Sequence, residues 1–90
     1  MIMFECHITV STKHAEEATQ VAKNAHWKTS EIARDPVLGD DTYFYLTTHS
    51  TDYSVMWLRL RDAVILLEEA DVPVIREKIE LIVHDTKMKV

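Results

Sequence analysis

Five histidines in 90 residues make imidazole the side chain best equipped for chemistry in this chain. It titrates near neutral pH, and it can pass a proton or take a metal bond. Two of the five occur in the same short pattern, His7-Ile-Thr9 and His84-Asp-Thr86. On a strand, residues two apart share a face, so each pattern would set a proton-transferring ring beside a hydroxyl. Glu5 precedes His7 by two, Tyr45 and Thr47 lead to His49 at the same spacing, and Lys78 and Glu80 lead towards His84.

These residues need strands to line them up, and the alternation of the chain supplies them. Ile2, Phe4, Cys6, Ile8 and Val10 alternate with Met3, Glu5, His7 and Thr9, the period of a half-buried strand. Ser11 or Thr12 is expected to cap a helix with Glu16 and Glu17 in its first turn, where carboxylates suit the positive end of the dipole. Its inner stripe is Ala15, Ala18, Ala22 and Ala25, with Val21 alongside. A second strand is expected from Trp27 to about Arg34, with an ambiguous inward face, followed by a loop over Asp35 to Asp41 that carries Pro36 and Gly39.

Thr42 to His49 reads as a third strand, with Phe44, Leu46 and Thr48 inward and Tyr43, Tyr45, Thr47 and His49 outward. Ser50 or Thr51 is expected to cap a second helix running to about Ala70, with Met56, Leu60, Val64 and Leu67 buried. Pro73 then separates a last strand, about Val74 to Thr86. There Ile75, Ile79, Leu81 and Val83 are expected inward, and Arg76, Lys78, Glu80, Ile82, His84 and Thr86 outward.

Strand, helix, two strands, helix, strand is the order of a ferredoxin-like α+β sandwich, a single domain over residues 1–90. Its four-stranded sheet would have the order 4-1-3-2, with both helices on one face and the other face open. The first and last strands would then be antiparallel neighbours, and a near-register pairing would bring His7 and Thr9 beside His84 and Thr86. His7 and His84 are accordingly the candidate catalytic pair. Thr9, Thr86, Tyr45, Thr47, Lys78 and Glu80 are the candidate binding residues around them.

The paired His-x-Thr pattern resembles the signature of the 2H phosphoesterases. That resemblance implies one histidine as general base and one as general acid on a phosphodiester, with the threonine hydroxyls on phosphate oxygens. Asp85 stands where the second motif usually has an apolar residue. Across nearly its whole length the chain is also similar to a group of small uncharacterised proteins. The resembling residues are the opening Met-Ile-x-Phe-Glu-Cys-His-Ile-Thr-Val, the Asp35-Pro-Val-Leu-Gly-Asp40 loop and the closing Glu77-Lys-Ile-Glu…Asp85-Thr86. This likeness implies a self-contained domain and no particular activity.

Other readings weigh differently. His7, His84 and His49 with Glu5 or Glu80 are ligand types that zinc accepts, but no tight His-x-x-x-His spacing supports a site, so no metal and no cofactor is expected. Tyr43 and Tyr45 would face outward where RNA-recognition motifs stack bases. A formal net charge of −5 with dispersed basic residues argues against nucleic acid as a partner. Acylphosphatase shares the size and architecture, yet its phosphate cradle needs glycine after the first strand, and Ser11-Thr-Lys-His14 stands here.

One cysteine excludes an internal disulfide and fits a reducing compartment. The chain shows no signal-peptide pattern and no apolar run of the ~20 residues a membrane span needs, so a cytoplasmic location is expected. Leu58 and Ile65 fall on the outer side of the second helix, as scattered apolar residues or as part of an oligomer contact. An open sheet carrying Tyr43, Tyr45, Ile82 and Met3 would also suit a contact between copies. The expected protein is thus a small binding or regulatory module acting through its open sheet face, as a homodimer. The alternative is a small phosphodiesterase or nucleotide-binding protein centred on His7 and His84.

Overall fold

In the computed structural model, which describes residues 2–32 and 42–82, the first strand, β1, spans Met3–Ser11. Cys6, Ile8 and Val10 are fully buried on one of its faces, while Glu5 and His7 on the other are only partly covered. One turn of 3-10 helix, Thr12–His14, leads into helix α1, Ala15–Ala25, and Ser11 Oγ accepts from the Lys13 N–H at 3.4 Å. Strands β2 (Lys28–Ile32) and β3 (Tyr43–Ser50), helix α2 (Tyr53–Glu69) and strand β4 (Val74–Ile82) complete the order. The expected extension of the second strand to Arg34, the loop over Asp35 to Asp41, and Val83, His84 and Thr86 lie outside the described residues.

The sheet is antiparallel throughout, in the order β2-β3-β1-β4, which counted from the opposite edge runs 4-1-3-2. Both helices contribute to one core. Ala18, Val21 and Ala22 of α1 and Met56, Leu60, Ala63 and Leu67 of α2 pack with Cys6, Ile8, Val10, Phe44 and Leu46 of the sheet. The alanines of α1 lack bulk, so the helix can lie close to the strands. The α+β architecture is therefore an antiparallel sheet with two helices, as the ferredoxin-like order requires. Among the described residues no helix is long and apolar enough to cross a membrane.

Three local details differ from the sequence expectation. The cap of α2 is Asp52, whose Oδ1 accepts from the Val55 N–H at 3.0 Å; Ser50 Oγ instead accepts from the Asp52 N–H at 3.1 Å. A carboxylate at this position gains from the helix dipole as well as from the hydrogen bond. On β4, Ile75 does not face inward. The pairing with β1 shifts between Thr9 and Val10, so that Val10 opposes Val74 while Thr9 opposes Arg76. The shift leaves Ile75 as the extra residue of a bulge; Val74 packs against the core in its place and Ile75 is largely exposed. Leu81 pairs with Phe4 near the end of the strand and is also exposed rather than buried.

The ambiguity of the second strand has a simple cause. Thr29 and Glu31 pair with the core residues Leu46 and Phe44, yet both are exposed on this edge strand. Trp27, just before the strand, makes the apolar contact instead. Arg59 of α2 pins this corner. Its guanidinium donates to the Ala25 and His26 carbonyls at 3.2 and 3.0 Å and lies 5.9 Å from the centre of the Trp27 ring.

Each helix ends on a non-glycine residue in the left-handed region, His26 (φ 62) and Asp71 (φ 59). After α2 the Asp71 N–H donates to Glu68 and the Val72 N–H to Leu67, the pair of bonds that defines a Schellman motif, with Val72 buried behind it. After α1 the Trp27 N–H bonds Ala22 across the same six-residue span, and Trp27 is the buried residue. Gly39 is the chain's only glycine, so both stops carry the cost of a Cβ at positive φ. Asp71→Gly is therefore expected to raise stability by about 0.5–1 kcal/mol in urea denaturation, with an unchanged m-value. A neutral or destabilising result would show that the Asp71 side chain compensates locally.

Candidate functional site

The open face of the sheet is organised as three rows of side chains running across the strands. In the first, Ser30, Tyr45, Thr9 and Arg76 stand side by side on β2, β3, β1 and β4. The second holds Lys28, Thr47, His7 and Lys78. In the third, His49, Glu5 and Glu80 stand on β3, β1 and β4. Because side chains alternate, every member of these rows projects away from the helices.

The register decides which residues meet. Lys78 stands opposite His7 on β4, so the β4 neighbour of the ring is an ammonium-bearing side chain rather than the second imidazole expected near register. His84 and Thr86 lie outside the described residues. The other expected site residues do come together: His7, Thr9, Tyr45, Thr47 and Lys78 line one hollow of about 220 Å³ on the open face, and Glu80 sits at its margin. Sequence reasoning missed two members of that hollow as site residues, Arg76 and Ser30. Arg76 was legible as an outward residue of its strand. Ser30 was not, since its strand has no apolar alternation to show which side faces out.

His7 is tied on both of its nitrogens. Its Nδ1 lies 3.0 Å from Thr47 Oγ1. Its Nε2 contacts Glu5 Oε1 and lies 3.6 Å from Glu80 Oε1. Glu5 divides its carboxylate between two imidazoles, since its other oxygen is 2.8 Å from His49 Nε2. Lys78 Nζ lies 2.9 Å from Glu80 Oε1. Thr9 and Tyr45 are nearly inaccessible although they belong to the open face, which makes the floor of the hollow rigid and its rim, at Arg76 and Lys78, charged.

Two chemistries thus lie side by side. Towards Arg76 the face offers cations and hydroxyls, the groups that hold an oxyanion. Towards Glu5 it offers carboxylates and imidazole nitrogens. His7 and Lys78 belong to both. Cys6 takes no part, because it is wholly buried on the opposite face; burial, reinforced by the nearby Glu77 charge, pushes its thiol up to about 12 and keeps it unreactive at neutral pH.

The chain matches no protein-family model and no curated protein. What the site can do is therefore argued from its geometry.

The Lys78–Glu80 pair has a measurable signature. The hydrogen bond from Lys78 holds the Glu80 carboxyl below its ordinary value; desolvation opposes it, and the Lys78, His7 and Arg76 charges add to the lowering. A depressed folded-state value stabilises the fold above the unfolded-state value, and that contribution is lost as pH falls through the folded one. Both side chains are more than a third exposed, so screening keeps the contribution within about 0.5 kcal/mol. In Lys78→Met the Glu80 carboxyl is expected to titrate at higher pH, read from its side-chain carbon shifts by NMR. An unmoved titration would mean that Lys78 does not hold Glu80 in solution.

Proposed function

We propose that this protein is a small binding module that takes a phosphate- or carboxylate-bearing ligand in the hollow of its open sheet face. The observation that carries this reading is the lining: Arg76, Lys78 and His7 with the hydroxyls of Ser30 and Thr47 around one depression floored by Thr9 and Tyr45. Charge-assisted hydrogen bonds to an oxyanion are about twice as strong as neutral ones, and Arg76 adds a planar fork suited to two oxygens at once. Cations gathered here in a chain of net charge −5 make the hollow the local exception on an acidic molecule. Its volume of about 220 Å³ lies below the ~300–1,000 Å³ of drug-sized pockets, which favours a small oxyanion group over a whole nucleotide. A nucleotide would seat its phosphate there and leave the remainder on the rows beyond.

This reading places the ligand where the sequence directs attention, on the open face. The hydrolytic alternative needs a second proton-transferring group across the phosphate from His7, and the expected one, His84, lies outside the described residues. Titrating the labelled protein with inorganic phosphate, then with mono- and dinucleotides, is expected to give saturable amide shifts at Thr9, Ser30, Thr47, Arg76 and Lys78. Arg76→Ala should weaken binding about tenfold, the loss of roughly one charged hydrogen-bond pair. Shifts that are absent, or equally strong in Arg76→Ala, would refute the reading.

A second reading concerns self-association, and it moves the contact from the sheet to α2. Tyr45 is 8% exposed in the single chain and has little surface left for a partner, whereas Trp57, Leu58 and Ile65 are 49%, 61% and 44% exposed. They line a largely apolar groove of about 890 Å³ together with Tyr53, Arg61 and Val64. Leu58, Arg61, Asp62 and Ile65 have the spacing of one helical stripe. An antiparallel two-fold pairing that sets Leu58 of one copy against Ile65 of the other also sets Arg61 against Asp62, so apolar and charged contacts agree. Leu58→Glu is expected to convert a dimer into monomers in light scattering, with the fold intact by circular dichroism. A wild type of monomer mass at high micromolar concentration would end this reading.

A further inference from the structure

The geometry points to a transition-metal site, with zinc as the best-suited ion, formed by Glu5, His7 and Glu80 at the far end of the open face from Arg76. It shares His7 with the oxyanion hollow proposed above, but it is argued from different observations and does not depend on that reading.

One ligand atom from each of Glu5, His7 and Glu80 lies within 4.8 Å of the others. His49 Nε2 lies 2.8 Å from the other Glu5 oxygen, outside that trio, so it orients Glu5 and is not itself a ligand. Zinc bound at ~2.0–2.2 Å in a tetrahedron holds its donors about 3.3–3.5 Å apart, so His7 Nε2 and Glu80 Oε1, at 3.6 Å, already have the required separation. The backbone explains why the donors converge. Glu5 is on the strand paired at both edges, with His49 directly opposite on one side and Glu80 on the other. His7 is the next residue along on the same face.

Two further observations distinguish this cluster from an ordinary polar surface. His7 Nδ1 is held by Thr47 Oγ1 at 3.0 Å. An outer partner on one ring nitrogen is what orients a metal-bound imidazole and leaves Nε2 for the ion. Glu5 and Glu80 are also a directly opposed cross-strand pair, where like charges destabilise a sheet unless a cation lies between them. Lys78 partly fills that need by holding Glu80 at 2.9 Å. A divalent ion would meet both carboxylates at once, and Lys78 would be displaced as the partner of Glu80. One imidazole nitrogen and two carboxylate oxygens, with a water as fourth ligand, suit zinc among the available divalent ions, whereas magnesium and calcium prefer all-oxygen shells of higher coordination number.

The test uses the full chain and metal salts alone. Zinc titrated by calorimetry should bind one ion per chain, and cobalt(II) should develop the intense visible bands of a four-coordinate site. Glu5→Gln and Glu80→Gln should each weaken zinc binding at least tenfold. Lys78→Met, which removes the competing ammonium, should tighten it. His26→Asn, at the end of α1, should leave it unchanged. If Glu5→Gln does not fold, as judged by circular dichroism, Glu80→Gln on the exposed rim still carries the comparison. Zinc binding that survives both substitutions, or is lost in His26→Asn, would overturn the proposal. So would octahedral cobalt spectra with no detectable zinc binding. A phosphate titration of the metal-free protein reads the hollow independently, so failure of one site leaves the other standing.

Discussion

Strand β1 is hydrogen-bonded along both edges, and the positions of the remaining elements follow from that. One face carries Cys6, Ile8 and Val10, which are fully buried beneath the helices. The other face carries Glu5, His7 and Thr9, which form the centre of the three rows on the open face. A one-residue slip in either pairing would exchange the two faces, burying a glutamate and an imidazole and exposing the core. The register is therefore held by the same apolar burial that holds the fold. The site inherits this precision because its side chains alternate with core residues along the same strand.

The open face is electrically graded rather than uniform. Arg76, Lys78 and Lys28 occupy the first two rows, and Glu5 and Glu80 the third, with His7 between them. Lys78 lines the hollow on the cationic side and reaches to Glu80 on the other. An anion drawn to the hollow and a cation drawn to the carboxylates would both change the partner of Lys78. This sharing is a direct result of spacing two residues apart on one strand, where neighbouring rows lie within side-chain reach.

The helix side solves a different problem. Phe4, Tyr53 and Trp57 form an aromatic chain at the β4 edge, with ring centres 5.1 and 6.1 Å apart, while Leu58 and Ile65 face outward. The bulge at Ile75 adds another exposed apolar side chain on the same strand. Exposed apolar side chains thus gather around α2 and β4, while on the open sheet Tyr45 is buried and Met3, Tyr43 and Ile82 are half-buried.

Local pattern was enough to read the alternation of β1 and β3, the small-residue stripe of α1, the outward Leu58 and Ile65, and the membership of His7, Thr9, Tyr45, Thr47 and Lys78 in one face. Each of these depends on a period of 2 or 3.6 residues, and a period is visible in a short stretch of chain. Tertiary structure alone decided that Lys78 stands across from His7, that Val74 replaces Ile75 in the core, and that Ser30 and Arg76 complete the hollow. It also made Glu5 the shared partner of His7 and His49. Those facts depend on the register between strands distant in sequence and on one bulge. Register is settled by the summed burial of whole strands against the helices, so no individual residue announces it.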